Sequence, residues 1–85
     1  MNDLQYELLS IIRDRLKIKI NDTAEDITEK NIFGHEVNFI PLDMVYFMLI
    51  IEKKYGIRFT EEDFDSPEFY TIKGISGIIA ARMNA

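Results

Sequence analysis

The longest apolar stretch of the chain, FIPLDMVYFMLIIEKKY at residues 39–55, predicts a central helix. At about 3.6 residues per turn, five of its side chains share one face: Met44, Phe47, Met48, Ile51 and Tyr55. Four more apolar side chains fall on roughly the opposite face: Leu42, Val45, Tyr46 and Leu49. Because one apolar stripe is enough to seat a helix on a small domain, two stripes indicate that both sides of this helix become covered.

The second apolar stripe of the central helix has three interpretations. A membrane segment needs about 20 consecutive apolar residues, whereas Asp43 interrupts this run on one side and Glu52, Lys53 and Lys54 on the other. The other helices of the chain could instead wrap around it, since cores take apolar residues first. A chain of 85 residues has little material left for that. We therefore expect another molecule to cover the second stripe.

Two further helices flank the central one. Residues 3–17 carry an apolar stripe, and Asn2 or Asp3 is placed to cap the first turn. Residues 71–83 carry isoleucines on one side, with Gly74 and Gly77 suited to close helix packing. Apolar side chains are sparse between residues 18 and 40, which predicts a long connection without a strand. Four side chains are expected to hold this connection on the core: Ile18, Ile20, Ile27 and Phe33.

Local signals predict where the remaining helices begin and end. Pro41 suits the first turn of the central helix, and Gly56 suits its end. The spacing from Thr60 to Asp63 resembles a capping box that opens a short helix. The pair Ser66-Pro67 opens another short piece. The pattern therefore predicts one all-α domain over residues 1–85.

Composition narrows the classes of partner. The net charge of −5 disfavours nucleic acid and anionic membrane surfaces, and it suits a partner with a basic docking face. The chain has no cysteine, which excludes disulfides and thiolate chemistry. Its first residues, MNDLQYELL, lack the basic-then-apolar order of a signal peptide, so we expect a cytoplasmic protein.

Characteristic residues accompany this order of helices over most of the chain: Ile27-Thr28 followed by Phe33, Glu36-Val37, Leu42-Asp43, Glu52, Tyr55, Phe59 and Thr71-Ile72. With them the chain resembles the acyl carrier protein family, which includes the peptidyl carrier domains. The resemblance implies a four-helix bundle with a long loop between helices 1 and 2 and a short third helix. It also implies a protein that works by docking on biosynthetic enzymes.

The chain departs from this family where the family carries its 4'-phosphopantetheine. The family's attachment serine lies in a D-S-L motif, and this chain has Ile40, Pro41 and Leu42 there. Proline has no hydroxyl, so no phosphodiester can form and we expect no phosphopantetheine cofactor. A true carrier in fatty acid, polyketide or peptide biosynthesis would have to be modified at a non-standard serine: Ser10, Ser66 or Ser76.

The outer side of the central helix also departs from the family, where it is largely acidic. Tyr46 stands where the family commonly has glutamate, and Lys53 and Lys54 replace further acids. The chain in this respect resembles carrier-related proteins that lack the attachment serine and accompany peptide-modification systems. That resemblance implies a non-catalytic module that binds a partner enzyme, or weakly a second copy, through this helix. The predicted partner-binding residues are Leu42, Asp43, Val45, Tyr46, Leu49, Glu52 and Lys53.

No residue pattern indicates catalysis or a metal site. His35 has a carboxylate neighbour in Glu36, but no second histidine or cysteine accompanies them. The acidic run at residues 61–65 lacks the glycine and the alternating oxygen ligands of a calcium loop. There is also no glycine-rich phosphate loop. We therefore expect neither an enzyme nor a metalloprotein.

Overall fold

A computed structural model describes residues 2–20 and 26–84 of the chain. Four α-helices follow one another in it: α1 (Asp3–Ser10), α2 (Pro41–Tyr55), α3 (Glu61–Asp65) and α4 (Ile72–Met83). A π-helical turn at Ile11–Arg15 continues α1, and 3₁₀ turns occupy Ile27–Glu29 and Pro67–Tyr70. No strand occurs in these two described ranges, so the predicted all-α architecture is confirmed.

Side chains cap the helices largely where the sequence predicts. Asn2 Oδ1 accepts a hydrogen bond from the Gln5 N–H at 2.8 Å and so caps α1. The Thr60 N–H donates to Asp63 Oδ2 at 2.8 Å, and Thr60 Oγ1 accepts from the Asp63 N–H at 3.4 Å. This reciprocal pair confirms the predicted capping box of α3. Gly56 ends α2 in the left-handed conformation, at φ 67°.

The start of α2 is capped by a carboxylate from inside the helix. Pro41 is its first residue, and Ile40, at the cap position, has no side chain able to accept a hydrogen bond. Asp43 Oδ2 instead accepts from the Ile40 N–H at 2.9 Å. The negative charge of Asp43 also lies at the positive end of the helix dipole.

The core is built mainly from isoleucine and phenylalanine side chains. Helix α1 packs on α4, and α2 adds Phe47, whose ring meets Phe39 nearly at right angles with centroids 5.4 Å apart. The connection before α2 is tied down by its backbone. The Ile32 N–H donates to the Tyr70 carbonyl at 2.8 Å, and the Phe39 N–H donates to the Ile32 carbonyl at 2.9 Å.

The predicted anchors of this connection differ in how deeply they are buried. Ile20 and Ile27 are buried, and Ile18 is partly buried against the core. Phe33 is 38% exposed, because its ring only meets the edge of the core at Phe39 and Tyr70. Residues 21–25 of the predicted connection lie outside the described residues.

The two glycines of α4 have different surroundings. A Cβ atom on Gly74 would lie 1.9 Å from the backbone oxygen of Glu68, so the 3₁₀ turn at Pro67–Tyr70 packs directly on this glycine. A Cβ atom on Gly77 would meet nothing within 4 Å. The predicted close packing is therefore confirmed at Gly74 and wrong at Gly77, where the surface is open.

An arginine joins the last helix to the short one. Arg82 Nη2 donates to both carboxylate oxygens of Asp63, at 2.6 and 2.7 Å, and Arg82 Nη1 donates to the Arg58 carbonyl at 2.6 Å. Asp63 is buried, so its charge is removed from water and compensated by this contact and by the Thr60 N–H. These hydrogen bonds of Arg82 hold the end of α4 against the start of α3.

Candidate functional site: the outer face of helix α2

Helix α2 is packed on one side and open on the other. Its inner side chains Met44, Phe47 and Ile51 are 6%, 0% and 0% exposed. Its outer face, defined here as four side chains, is open to solvent: Leu42 at 55%, Val45 at 45%, Tyr46 at 52% and Leu49 at 56%. This exposure contradicts the alternative in which the other helices wrap around α2. That the outer face binds a partner stays a prediction.

Further exposed residues adjoin the outer face at both ends of α2. Ile40, just before the first turn, is 57% exposed. Leu42, Tyr46, Leu49 and Lys53 follow at the spacing i, i+4, i+7 and i+11, which places them along one stripe. Isolated exposed apolar residues are normal on any protein surface. Several adjacent ones along one helix instead form a patch of the kind that marks an interaction site.

Three of the predicted partner-binding residues are charged and are called here the rim residues: Asp43, Glu52 and Lys53. The two acidic ones hold the ends of α2. Asp43 accepts from the Ile40 N–H, and Glu52 Oε2 accepts from the Phe59 N–H at 2.9 Å. Each carboxylate therefore has one oxygen engaged in a backbone contact. Lys53 is exposed and makes no ion pair with the residues that the structure describes. Of the three rim residues, Lys53 has the most freedom to meet another molecule.

The start of α2 does not fit a phosphodiester-linked group. Pro41, at the attachment position of the carrier family, is exposed but carries no hydroxyl. Ser10 Oγ donates to Asp14 at 3.1 Å on α1, and Ser66 caps the 3₁₀ turn that follows α3. Ser76 is buried, and its Oγ donates to the Lys73 carbonyl at 2.7 Å. None of these three serines lies at the start of α2.

A hydrogen bond joins the inner edge of α2 to α1. The Tyr55 hydroxyl donates to Glu7 Oε1 at 2.6 Å. Burial, and then the Glu7 carboxylate, raise the pKa of Tyr55 well above its ordinary value, because both disfavour the phenolate. This contact fixes the side of α2 that faces the bundle and leaves the outer face free.

A groove that the sequence did not reveal lies beside the outer face. It has a volume of about 470 Å³ and runs between α2 and the end of the π-helical turn. Its lining residues are Arg15, Leu49, Ile50, Lys53 and Lys54. Only Leu49 and Lys53 were predicted as site residues, because the approach of Arg15 to α2 depends on how the two helices pack. The cluster of Lys53 and Lys54 at the helix end was the one local signal.

The remaining candidate positions show no site chemistry. His35 projects into solvent, with Nε2 3.2 Å from Glu36 Oε2. Within residues 2–20 and 26–84, no three His, Cys, Asp or Glu side chains are grouped so that they could hold a metal ion. No helix in the described part of the chain has the length and apolar character needed to cross a membrane.

Comparison of the chain with protein-family models, curated proteins and solved structures finds no match. The resemblance to acyl carrier proteins therefore rests on the sequence motifs alone. A carrier-like function therefore stays a prediction for this chain.

Proposed function

We propose that the protein is a non-catalytic binding module that docks on a partner enzyme through the outer face of α2. One observation carries the proposal: four large apolar side chains, 45% to 56% exposed, lie on a helix whose other face is sealed. Interface centres are built from such aromatic and aliphatic side chains with a polar rim. The rim would be formed by Asp43, Glu52 and Lys53, next to this apolar centre.

The class of partner comes from the resemblance to carrier proteins. Proteins of that family dock on enzymes of biosynthetic pathways, and related proteins without the attachment serine accompany peptide-modification systems. We infer the same setting for this chain, in a carrier-like bundle with a long connection before α2 and a short third helix. With Pro41 at the attachment position, the module acts by recruitment or by supporting the partner's active conformation. It does not shuttle an acyl or peptidyl group.

The size of the outer face sets the expected strength of docking. Complete burial of a leucine or aromatic side chain contributes about 1.5–3 kcal/mol. Since roughly half of each outer side chain is already covered, sealing it contributes about 1 kcal/mol. Association itself costs about 4–15 kcal/mol, so the four side chains together do no more than offset the lower end of that cost, and contacts of the charged residues around them must add to the affinity of a reversible complex. Such a complex suits a module that supports an enzyme without being a permanent subunit.

A matched pair of double variants tests the proposal. Tyr46→Asp/Leu49→Asp places two charges on the outer face. Tyr6→Asp/Met83→Asp places the same charges at two side chains of similar exposure, 60% and 54%, on α1 and α4. The tagged protein is purified from the cells that produce it, its partner is identified by mass spectrometry, and binding is measured with purified components.

We expect the first pair of substitutions to abolish binding and the second pair to preserve it. Circular dichroism of both variants should match that of the original protein, because all four positions are exposed. Binding that survives Tyr46→Asp/Leu49→Asp would show that the outer face is not the docking site.

If the protein is instead a true carrier, it must become covalently modified with phosphopantetheine, whereas a binding module needs no such modification. The protein is incubated with a promiscuous phosphopantetheinyl transferase and coenzyme A, and its mass is then measured. We expect the mass to stay unchanged, because Pro41 offers no nucleophilic oxygen. A gain of one phosphopantetheinyl group would show that the protein is a true carrier modified at another residue.

A further inference from the structure

The groove beside the outer face has a sign of charge opposite to that of the whole protein. The chain carries a net charge of −5, whereas three of the five residues lining the groove are cations and none is an acid. These cations are Arg15 from the π-helical turn and Lys53 and Lys54 from the last turn of α2. The two other lining residues are Leu49 and Ile50. The groove is thus lined by two apolar side chains and three cations.

Three acidic residues of α1, the π-helical turn and α2 accept hydrogen bonds from groups that do not line this groove. Glu52 accepts from the Phe59 N–H, and Glu7 accepts from the Tyr55 hydroxyl. Asp14 accepts from Ser10 Oγ on the α1 side. Glu7 and Asp14 line a second groove that adjoins the first at Arg15 and Lys54. Arg15 and Lys54 therefore border both grooves, whereas Lys53, beside Leu49, lines only the first, which contains no acid.

The π-helical turn places Arg15 at this position. The Leu16 N–H donates to the Ile11 carbonyl at 3.1 Å, an i→i+5 bond that fits one more residue into the turn than an α-helix does. The residues that follow Ser10 are thereby rotated relative to an uninterrupted α-helix.

The groove continues the stripe of the outer face. Leu42, Tyr46 and Leu49 lead along α2 to Lys53, which belongs to both surfaces. A partner segment lying along this stripe would meet apolar side chains first and cations afterwards. Its own side chains must be apolar over the first part and negatively charged over the second.

We propose that the segment of the partner that docks here is an acidic amphipathic peptide, with apolar side chains against Leu42, Tyr46 and Leu49 and carboxylates against Arg15, Lys53 and Lys54. This inference rests on the proposed function and specifies the chemistry of its partner. It also reverses the expectation from net charge, which favours a basic docking face on the partner. An anionic membrane is an extended surface that would also approach the acidic remainder of the molecule, whereas a peptide segment needs to approach only the groove, so the peptide is favoured as the occupant.

Two labelled peptides serve as probes of the groove. One carries leucines on one helical face and glutamates at the other positions, and the second has lysines in place of the glutamates. Fluorescence anisotropy is measured for the original protein, for Lys53→Glu/Lys54→Glu and for the control Lys17→Glu/Lys19→Glu. The control makes the same change in net charge at two exposed lysines outside the groove.

We expect the original protein to prefer the glutamate peptide, and Lys53→Glu/Lys54→Glu to weaken that binding by about tenfold or more. The control should retain most of the affinity, and the groove variant should gain affinity for the lysine peptide. Raising the salt from 0.1 M to 1 M shortens the screening length from about 10 to about 3 Å, so the preference should decrease.

Two results with the peptides would overturn this inference. One is equal binding of both peptides by the original protein, and the other is equal loss of affinity in the groove variant and the control. The protein is also sedimented with vesicles that contain phosphatidylserine. Binding to these vesicles without binding to the glutamate peptide would overturn the inference and assign the groove to a membrane. If Tyr46→Asp/Leu49→Asp still abolishes binding of the purified partner, the proposed function stands although its partner is not acidic.

Discussion

The two faces of α2 are similar in composition and differ in what covers them. Met44, Phe47 and Ile51 on the inner face are at most 6% exposed, while Leu42 and Leu49 on the outer face are more than half exposed. The hydrophobic effect alone would bury both faces, because burial of either removes apolar area from water. The described residues seal only the inner face. The proposal that another molecule covers the outer face rests on this difference.

The largest expected effect is a difference between the two faces of α2 in how much their side chains contribute to the free energy of unfolding. Phe47→Ala removes a fully buried ring that packs against Phe39, and it should lower the free energy of unfolding by about 3–5 kcal/mol. Leu49→Ala on the outer face should change it by no more than about 0.5 kcal/mol. Urea unfolding of both variants measures the difference. A cost at Leu49 close to that at Phe47 would show that the outer face is covered within the chain.

A similar contrast occurs between the two glycines of α4. Gly74→Ala would force a Cβ atom against the Glu68 backbone and should cost about 2–3 kcal/mol. Gly77→Ala meets open space and should stabilise the helix by up to about 1 kcal/mol. Thermal unfolding of the two variants gives the sign of each change. Destabilisation by Gly77→Ala would show that α4 is covered where the structure leaves it open.

Arg82→Met tests whether the corner of α3 and α4 is independent of the outer face. The substitution keeps the aliphatic stem but leaves Asp63 without its charged partner, which should cost about 1–2 kcal/mol. Binding of the partner enzyme should stay unchanged, because the hydrogen bonds of the Arg82 side chain go to Arg58, Thr60 and Asp63, which are outside the outer face of α2. Calorimetry gives both quantities. Weaker binding by a folded Arg82→Met variant would place part of the docking site at this corner.

The smallest expected effect concerns the bond between Tyr55 and Glu7, which holds the inner edge of α2. The pKa of Tyr55 is raised in the folded protein, so its stabilising contribution is present below the ordinary tyrosine value of 10.0. The contribution decreases as the pH rises above that value, because the unfolded chain loses this proton first.

We therefore expect the original protein to lose its advantage in Tm over Tyr55→Phe as the pH is raised above 10.0. Tyr6→Phe, which alters an exposed tyrosine on α1, serves as the control. A difference in Tm between the original protein and Tyr55→Phe that stays constant with pH would show that this hydrogen bond does not form.

Local features of the fold could be predicted from the sequence. The caps at Asn2 and Thr60 and the helix end at Gly56 each depend on residues only a few positions apart, and all are confirmed. The second apolar stripe of α2 follows from a 3.6-residue period over one helix, whereas the sequence left open whether the other helices cover it. The capping role of Asp43 could also have been found, because it lies three residues after an unsuitable cap.

Contacts between distant segments could not be predicted in this way. Arg82 meets Asp63 across 19 positions, and Tyr55 meets Glu7 across 48. The π-helical turn has the same apolar residues as an α-helix would, so periodicity does not distinguish the two. The groove at Arg15 depends on that turn and on the packing of α1 beside α2. The negative net charge of the chain therefore gave no indication that this groove is positively charged.

The most direct test of the docking proposal is photo-cross-linking from the outer face. A photoreactive phenylalanine derivative replaces Tyr46 in one protein and Tyr6, similarly exposed on α1, in another. Both proteins are irradiated with the purified partner enzyme. We expect a cross-linked complex from position 46 and none from position 6. Equal cross-linking from both positions, or adducts from position 46 only to a second copy of this chain, would contradict the proposal that the outer face docks on a partner enzyme.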